Sequence, residues 1–297
     1  MEKMFAKPFL HALDQHSDGI TVMSKSHQNL NDMLSGSADG EVILWNLPQK
    51  KTIFQINAHE NMVRGLAFAE NHSLAADTIF VSTGEDKKVC IWSLNGLKAQ
   101  YEKERPNIVA GAIFKNYIPK ATYLSKGMVL GCDHSYSDDL FATAGSVVQI
   151  WNYERSSPLL SFDTWNVDTI YKLKFNPSET NVLASVCGDR SLCFYDIRGK
   201  TALQKVFLKN KSSALCWNPQ EPMNIVIGNE NSNCYTFDMR KLDEPKMIHK
   251  DHLQAILDID FAPTGKEFAT ASFDKTIRIF PYNDGRSREV YHTKRMQ

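Results

Sequence analysis

The stretch Phe80-Val81-Ser82-Thr83-Gly84-Glu85-Asp86-Lys87-Lys88-Val89-Cys90-Ile91-Trp92 decides the fold. It reads as an apolar strand carrying a hydroxyl residue, a polar turn around Asp86, and a second strand closing on an aromatic ring. Asp suits such a corner because its carboxylate accepts the backbone N–H groups of a tight turn. The same phrase returns along the chain. Leu34 to Trp45 carries Ser35 and Asp39, and Phe141 to Trp151 is a shortened copy. Leu183 to Tyr195 carries Ser185 and Asp189, Ile225 to Phe237 is a weaker copy with Asn231 at its turn, and Phe268 to Phe280 carries Thr270 and Asp274.

The closing aromatics are Trp45, Trp92, Trp151, Tyr195, Phe237 and Phe280. They recur at intervals of roughly 42–47 residues, with one longer interval before Trp151, and that period with strands and turns belongs to the blades of an all-β propeller. His16, His59 and His252 stand in the loops leading into a blade. A network from His through Ser or Thr and Asp to the closing Trp would tie each loop to its blade. It comprises His16, Ser35, Asp39 and Trp45 in the first blade and His59, Ser82, Asp86 and Trp92 in the second. His252, Thr270 and Asp274 form it in the last, and Ser185 and Asp189 form a partial set. This is the structural tetrad of WD repeats, which the sequence resembles over nearly its whole length.

The recurrence excludes a hydrolase reading of Ser, His and Asp, since a catalytic triad occurs once and this set repeats around a ring. Thr264-Gly265-Lys266-Glu267 lacks the Ser or Thr that follows Gly-Lys in a phosphate-binding loop, so it reads as a turn. Asp258 and Asp260 alternate on one strand and read as a rim feature rather than an acid–base pair. No catalytic, metal or cofactor site emerges, and the chain reads as a non-enzyme.

The 297 residues read as one propeller domain, 1–297, with an irregular excursion at 95–131 between the second and third blades. Arg288 to His292 is expected as the outer strand of the sixth blade, and Lys7 to Leu13 reads as another outer strand. If that N-terminal strand belongs to a final blade whose other strands are missing, the design is seven-bladed with the last blade incomplete, and the chain is truncated at both ends. A compact six-bladed ring is the alternative.

Composition narrows the function. Apolar residues make up 42%, enough for a large core. The 34 basic residues equal the 34 acidic ones, which removes bulk electrostatics as a reason to bind nucleic acid and leaves only local patches. None of the six cysteines forms a Cys-x-x-Cys pair, so they read as small apolar core residues of a reducing compartment. No apolar run is long enough to cross a membrane as a helix, and no signal peptide is recognisable.

The segments Phe5-Ala-Lys-Pro-Phe-Leu10, Cys216-Trp-Asn-Pro219, Tyr235-Thr-Phe-Asp-Met-Arg240, Pro263-Thr-Gly-Lys-Glu-Phe268 and Ser287 to Gln297 together resemble the Sof-type WD-repeat proteins of the nucleolus. In animals this family is described as a cullin-four ubiquitin-ligase associated factor. The resemblance covers most of 5–94 and 132–297. It implies a scaffold without catalytic activity in small ribosomal subunit assembly and pre-rRNA processing. The scaffold would work within the small-subunit processome, the ribonucleoprotein containing the box C/D snoRNA. Its expected partners are pre-ribosomal proteins and the snoRNP, and its expected location is the nucleus and nucleolus. The alternative is a substrate receptor of a cullin-four RING ubiquitin ligase. The chain departs from the family in lacking a longer N-terminal extension and a basic helical tail.

Two surface features follow. Asp196 with Arg198, and Asp238 with Arg240, place Asp-x-Arg boxes just after the closing aromatic of two consecutive blades. They resemble the motif by which WD proteins dock on the adaptor subunit of cullin-four ligases, and the planar Arg fork suits bidentate contact. Asp–Arg pairing that merely steadies a turn is the competing reading. Lys205, Lys209 and Lys211, and Arg286, Arg288, Lys294 and Arg295, form two basic groups that would contact RNA phosphates or else remain solvated loop charge. Trp165, Tyr171 and Trp217 would stack on bases or belong to blade cores.

Overall fold

A computed structural model of the chain describes residues 11–26, 29–69, 78–104, 117–163, 165, 167–199 and 201–293. Each repeat folds into its own sheet. Blade one is β1 (Ile20–Lys25), β2 (Asp32–Ser37), β3 (Glu41–Asn46) and β4 (Lys51–Asn57). Blade two is β5 (Val63–Ala69), β6 (Ile79–Gly84), β7 (Lys88–Ser93), helix α1 (Leu94–Glu104) and β8 (Ala121–Leu124). Blade three is β9 (Gly131–His134), β10 (Leu140–Ala144), β11 (Val148–Asn152) and β12 (Leu160–Phe162). Blade four is β13 (Ile170–Phe175), β14 (Val182–Cys187), β15 (Ser191–Asp196) and β16 (Ala202–Phe207). Blade five is β17 (Ser212–Trp217), β18 (Asn224–Asn229), β19 (Cys234–Asp238) and β20 (Met247–His249). Blade six is β21 (Ile256–Phe261), β22 (Glu267–Ser272), β23 (Thr276–Pro281) and β24 (Glu289–His292). Every blade is an antiparallel meander of consecutive strands.

The two middle strands of blades one to five are largely buried on both faces because both faces are covered. Leu34, Val42 and Leu44 of blade one pack on Phe68, Phe80 and Trp92 of blade two. Val81 and Ile91 meet Phe141 and Trp151 of blade three, and Ala142 and Val148 meet Leu183 and Tyr195 of blade four. Ala184 and Leu192 meet Ile225 and Phe237 of blade five, whose Val226 and Cys234 meet Phe268 and Phe280 of blade six. The closing aromatics of blades two to six are thus plugs in the preceding blade, each worth roughly 2–3 kcal/mol of burial. The corresponding far face of blade six is not covered in this way: Ala269 is exposed and Ile277 is 39% exposed. Blade six is joined to blade one by Lys25 Nζ and Asp260 Oδ2 at 2.5 Å.

A bulge recurs near the start of the first strand in five blades, leaving Thr21, Arg64, Tyr171, Ser213 and Leu257 out of the ladder. Two of these residues stitch neighbours together. Thr21 Oγ1 donates to the Val63 carbonyl at 2.5 Å, and Ser213 Oγ donates to the Ile256 carbonyl.

Among the described residues the structure has six blades, which corrects the seven-bladed expectation. The outer strand expected for blade six at Arg288 to His292 is present as β24, and the error lay in giving Lys7 to Leu13 to a further blade. β24 pairs on β23, with Tyr291 opposite Ile277, so blade six draws its fourth strand from its own repeat. Among the described residues no repeat lends a strand to another sheet, and all six sheets have four strands from consecutive elements. His11 to Leu13 carry no strand, and residues 7–10 of that expected strand lie outside the described residues. The excursion at 95–131 also sits differently. Its helix α1 and strand β8 fall within blade two, where β8 is the outermost strand. The run from Lys98 is charged and helix-forming, so it elongates the path to the fourth strand instead of separating two blades.

Five of the six cysteines are buried and Cys216 is half-buried. Burial pushes the thiols up, Cys90 to about 11 and Cys132 to about 12, so they pack as inert apolar groups.

Candidate functional site

The hydroxyl, imidazole and carboxylate sets lie inside the blades. In blade two, Trp92 Nε1 donates to Ser82 Oγ at 2.9 Å, Ser82 meets His59 Nε2 at 2.8 Å, and His59 Nδ1 lies 3.0 Å from Asp86 Oδ1. With Nδ1 donating to the carboxylate, Nε2 is the acceptor of the serine proton, and the chain of donors is satisfied with a neutral ring. Blade six repeats it: His252 Nδ1 is 2.9 Å from Asp274 and Nε2 is 2.7 Å from Thr270, while Phe280 replaces the indole. Burial lowers the His252 pKa, against the pull of Asp274. Burial also works to raise the Asp274 carboxyl, but hydrogen bonds from Thr276 and His252 outweigh it and hold the group at about 2.

Blade one is partial. His16 Nε2 and Trp45 Nε1 both reach Ser35, at 2.6 and 2.7 Å, but Asp39 takes the Ser17 hydroxyl. Blade four has no histidine. Ser185 Oγ donates to the Tyr195 hydroxyl at 3.2 Å, and Asp189 is held by Lys205 at 2.7 Å. Reading the sequence missed this role for Lys205. It also missed Thr143, which receives Trp151 Nε1 at 2.9 Å, although Thr143 stands two residues after Phe141 as Ser82 does after Phe80.

The Asp-x-Arg boxes are surface corners between the third and fourth strands of blades four and five. Asp196 Oδ1 accepts the Arg198 backbone N–H at 2.9 Å, and Asp238 Oδ1 accepts that of Arg240 at 2.9 Å. These Asx turns close the corner, and each carboxylate then takes the guanidinium edge of its own arginine. Nε and Nη2 of Arg198 lie at 3.1 and 2.9 Å, and those of Arg240 at 3.0 and 2.7 Å. The arginine bonds hold both carboxyls below the usual range. The arginine side chains are nevertheless 69% and 70% exposed. Pinning one edge of a planar fork leaves the Nη1 side presented outward in a fixed orientation, at small further cost in side-chain entropy on contact.

The basic candidates do not form one patch. Lys205 is largely buried beneath Asp189, with its Nζ 4.9 Å from the Phe207 ring centre. Lys209 and Lys211 follow the end of β16, the end opposite to Arg198. Arg286 pairs with Asp251 at 2.9 Å, and Arg288 pairs with Glu267. Lys294 and Arg295 lie outside the described residues. Of the stacking candidates, Trp217 is buried with Nε1 on the Lys174 carbonyl, Trp165 packs on a blade core, and Tyr171 is 37% exposed.

The WD domain, G-beta repeat, model matches residues 7–46, 50–93 and 243–280. The whole chain aligns at 44% identity with DDB1- and CUL4-associated factor 13 of Xenopus tropicalis and at 46% with that of Homo sapiens. It aligns at 36% with Protein SOF1 of Saccharomyces cerevisiae. The chain is a homologue of the Sof-type WD-repeat proteins. It spans 62% of the length of the two vertebrate relatives and 61% of the yeast one. The WD model leaves blades three, four and five of this Sof-type chain unmatched, and it matches blade one although Asp39 there binds Ser17 and not His16.

Proposed function

We propose that the chain acts as a non-catalytic scaffold of small ribosomal subunit assembly and pre-rRNA processing, in the nucleus and nucleolus. The relationship to Sof-type proteins along the whole chain carries this reading. The geometry agrees with it, because the recurring Ser, His and Asp side chains are consumed in blade networks and chemistry is left to surface corners. Its partners are then pre-ribosomal proteins and the box C/D snoRNP, held in one geometry by several loops at once. The test is recovery from growing cells of the tagged chain with its RNA and proteins. Co-recovery of the box C/D snoRNA supports the scaffold, and its absence sinks it.

One observation favours a second reading, as substrate receptor of a cullin-four RING ligase. The outward guanidiniums of Arg198 and Arg240 sit on consecutive blades, and the vertebrate relatives are named for association with DDB1 and CUL4. Arg198→Ala with Arg240→Ala should abolish binding of purified DDB1 and leave snoRNA recovery intact. Unchanged DDB1 binding at an unchanged melting temperature would reject the docking role.

A further inference from the structure

Blade six carries a third Asp-x-Arg corner. Asp284-Gly285-Arg286 lies in its third-to-fourth strand loop, as Asp196 to Arg198 and Asp238 to Arg240 do in blades four and five. Asp284 Oδ1 accepts the Arg286 backbone N–H at 3.2 Å, the same Asx turn as in the other two. The guanidinium is held differently. Its Nη1 donates to Asp251 Oδ1 at 2.9 Å, and the side chain is 79% exposed. Among the described residues Nε and Nη2 carry no bond, so the fork presents its other edge outward.

The loop is fastened to the surface that bears Arg240. The Tyr282 hydroxyl donates to Glu221 Oε2 at 3.1 Å. Lys246, from the loop following Arg240, donates to the same Glu221 oxygen at 3.3 Å and lies 5.5 Å from the Tyr282 ring centre. Behind it, the Asp284 carbonyl accepts from His249 Nδ1 at 2.7 Å and the Gly285 carbonyl from Lys250 N at 3.0 Å, both of blade five. Arg240 and Arg286 therefore stand on loops locked to each other.

We propose that Arg286 is a third docking contact, extending the adaptor-binding surface of blades four and five onto blade six. It serves a partner surface that offers carboxylates or backbone carbonyls to three pre-oriented guanidiniums. This assignment rests on the docking reading and takes Arg286 away from the phosphate-contacting group. Such corners fit a folded protein surface better than a polyphosphate chain, because every arginine is already paired with a carboxylate, and the Arg286 corner holds two, Asp251 and Asp284.

The experiment measures binding of purified DDB1 to the full chain and to Arg286→Ala, with melting temperatures alongside. Asp251 keeps two partners in that variant, the backbone N–H and hydroxyl of Ser287 at 2.6 and 2.7 Å, so the loop stays closed. The expected loss is roughly tenfold in affinity, within the range of a peripheral arginine contact. Arg286→Gln keeps the stem and serves if the alanine variant melts lower. Unchanged affinity in a variant with unchanged melting overturns the assignment. The double variant Arg198→Ala with Arg240→Ala, measured in the same series, reports separately on the docking reading: loss there without loss in Arg286→Ala leaves docking standing and removes only the third contact.

Discussion

Lys205 Nζ stands 2.7 Å from Asp189 Oδ2, so a lysine on the outer strand of blade four holds the turn carboxylate that a histidine holds in blades two and six. The same ammonium donates to the Trp165 carbonyl at 2.6 Å, anchoring the loop before that blade. A cation from the fourth strand and an imidazole from the preceding loop thus answer one requirement, a compensated carboxylate at a tight turn. A lysine so engaged is poorly placed to meet a phosphate.

Lys205→Ala should therefore act on stability and not on RNA. Removing one partner of a largely buried pair leaves an uncompensated carboxylate, and about 1–3 kcal/mol of destabilisation is expected. Urea denaturation checks the size. RNA retention should fall instead with Lys209→Ala plus Lys211→Ala, the exposed and half-buried lysines beyond β16.

Gly40 should not tolerate a side chain. Its φ is +88°, and a Cβ there would meet the His59 carbonyl oxygen at 2.1 Å. That approach exists because the Gly40 carbonyl accepts from both Ala58 and His59. Gly40→Ala combines left-handed strain with a backbone clash, and about 2–4 kcal/mol is lost. Lys275, with φ of 63° at the matching turn, offers the reverse: Lys275→Gly should cost nothing or gain a few tenths of a kcal/mol by relieving the same strain. A melting series on both variants decides the point.

Acid should unfold the chain in two stages. Burial lowers the folded pKa of His16, His249 and His252 below 6.5, so the unfolded chain binds more protons there. Stability then rises with pH through that region, and it falls as pH drops from about 7 toward the depressed folded values. Asp274, at about 2 in the fold against 3.8 unfolded, contributes above 3.8 and loses its contribution between 3.8 and about 2. His252→Gln should flatten the first stage partly, and Asp274→Asn the second, in melting temperatures taken from pH 8 to pH 2.

The junction of blades six and one should be the salt-sensitive part of the ring. Lys25 and Asp260 are 47% and 61% exposed, so their attraction is screened by ions. Between 0.05 and 1 M salt, amide exchange should accelerate in β1 and β21 more than in β5 or β13. Lys25→Asp should do the same at low salt, and adding Asp260→Lys should reverse it. Uniform exchange across all four strands would contradict the expectation.

The turn chemistry was legible residue by residue. Asp39, Asp86, Asp189 and Asp274 announce their corners because a carboxylate accepting turn N–H groups is a local interaction, set by residues two apart. His59 and His252 were legible as loop anchors through their spacing to the hydroxyl residues. Lys205 was not, since its pairing joins β16 to the opposite end of a hairpin, and lysine on an outer strand reads as solvated charge. Arg286 went unread as a corner because its Asp stands four residues past Phe280, whereas Asp196 directly follows Tyr195.

By itself the sequence determined the repeat, its six closing aromatics, the strand polarity within each repeat and the side chains that cap each turn. These depend on periodicity and near neighbours, which the chain carries wherever it goes. Only the tertiary structure decided how many blades there are, which face stays uncovered, and which carboxylate answers which cation. Those are outcomes of long-range pairing. β24 takes the edge of β23 that the sequence assigns to it, because the hydrogen bonds and packing of its own repeat are the nearest that satisfy it, whereas among the described residues no further sheet forms beyond blade six.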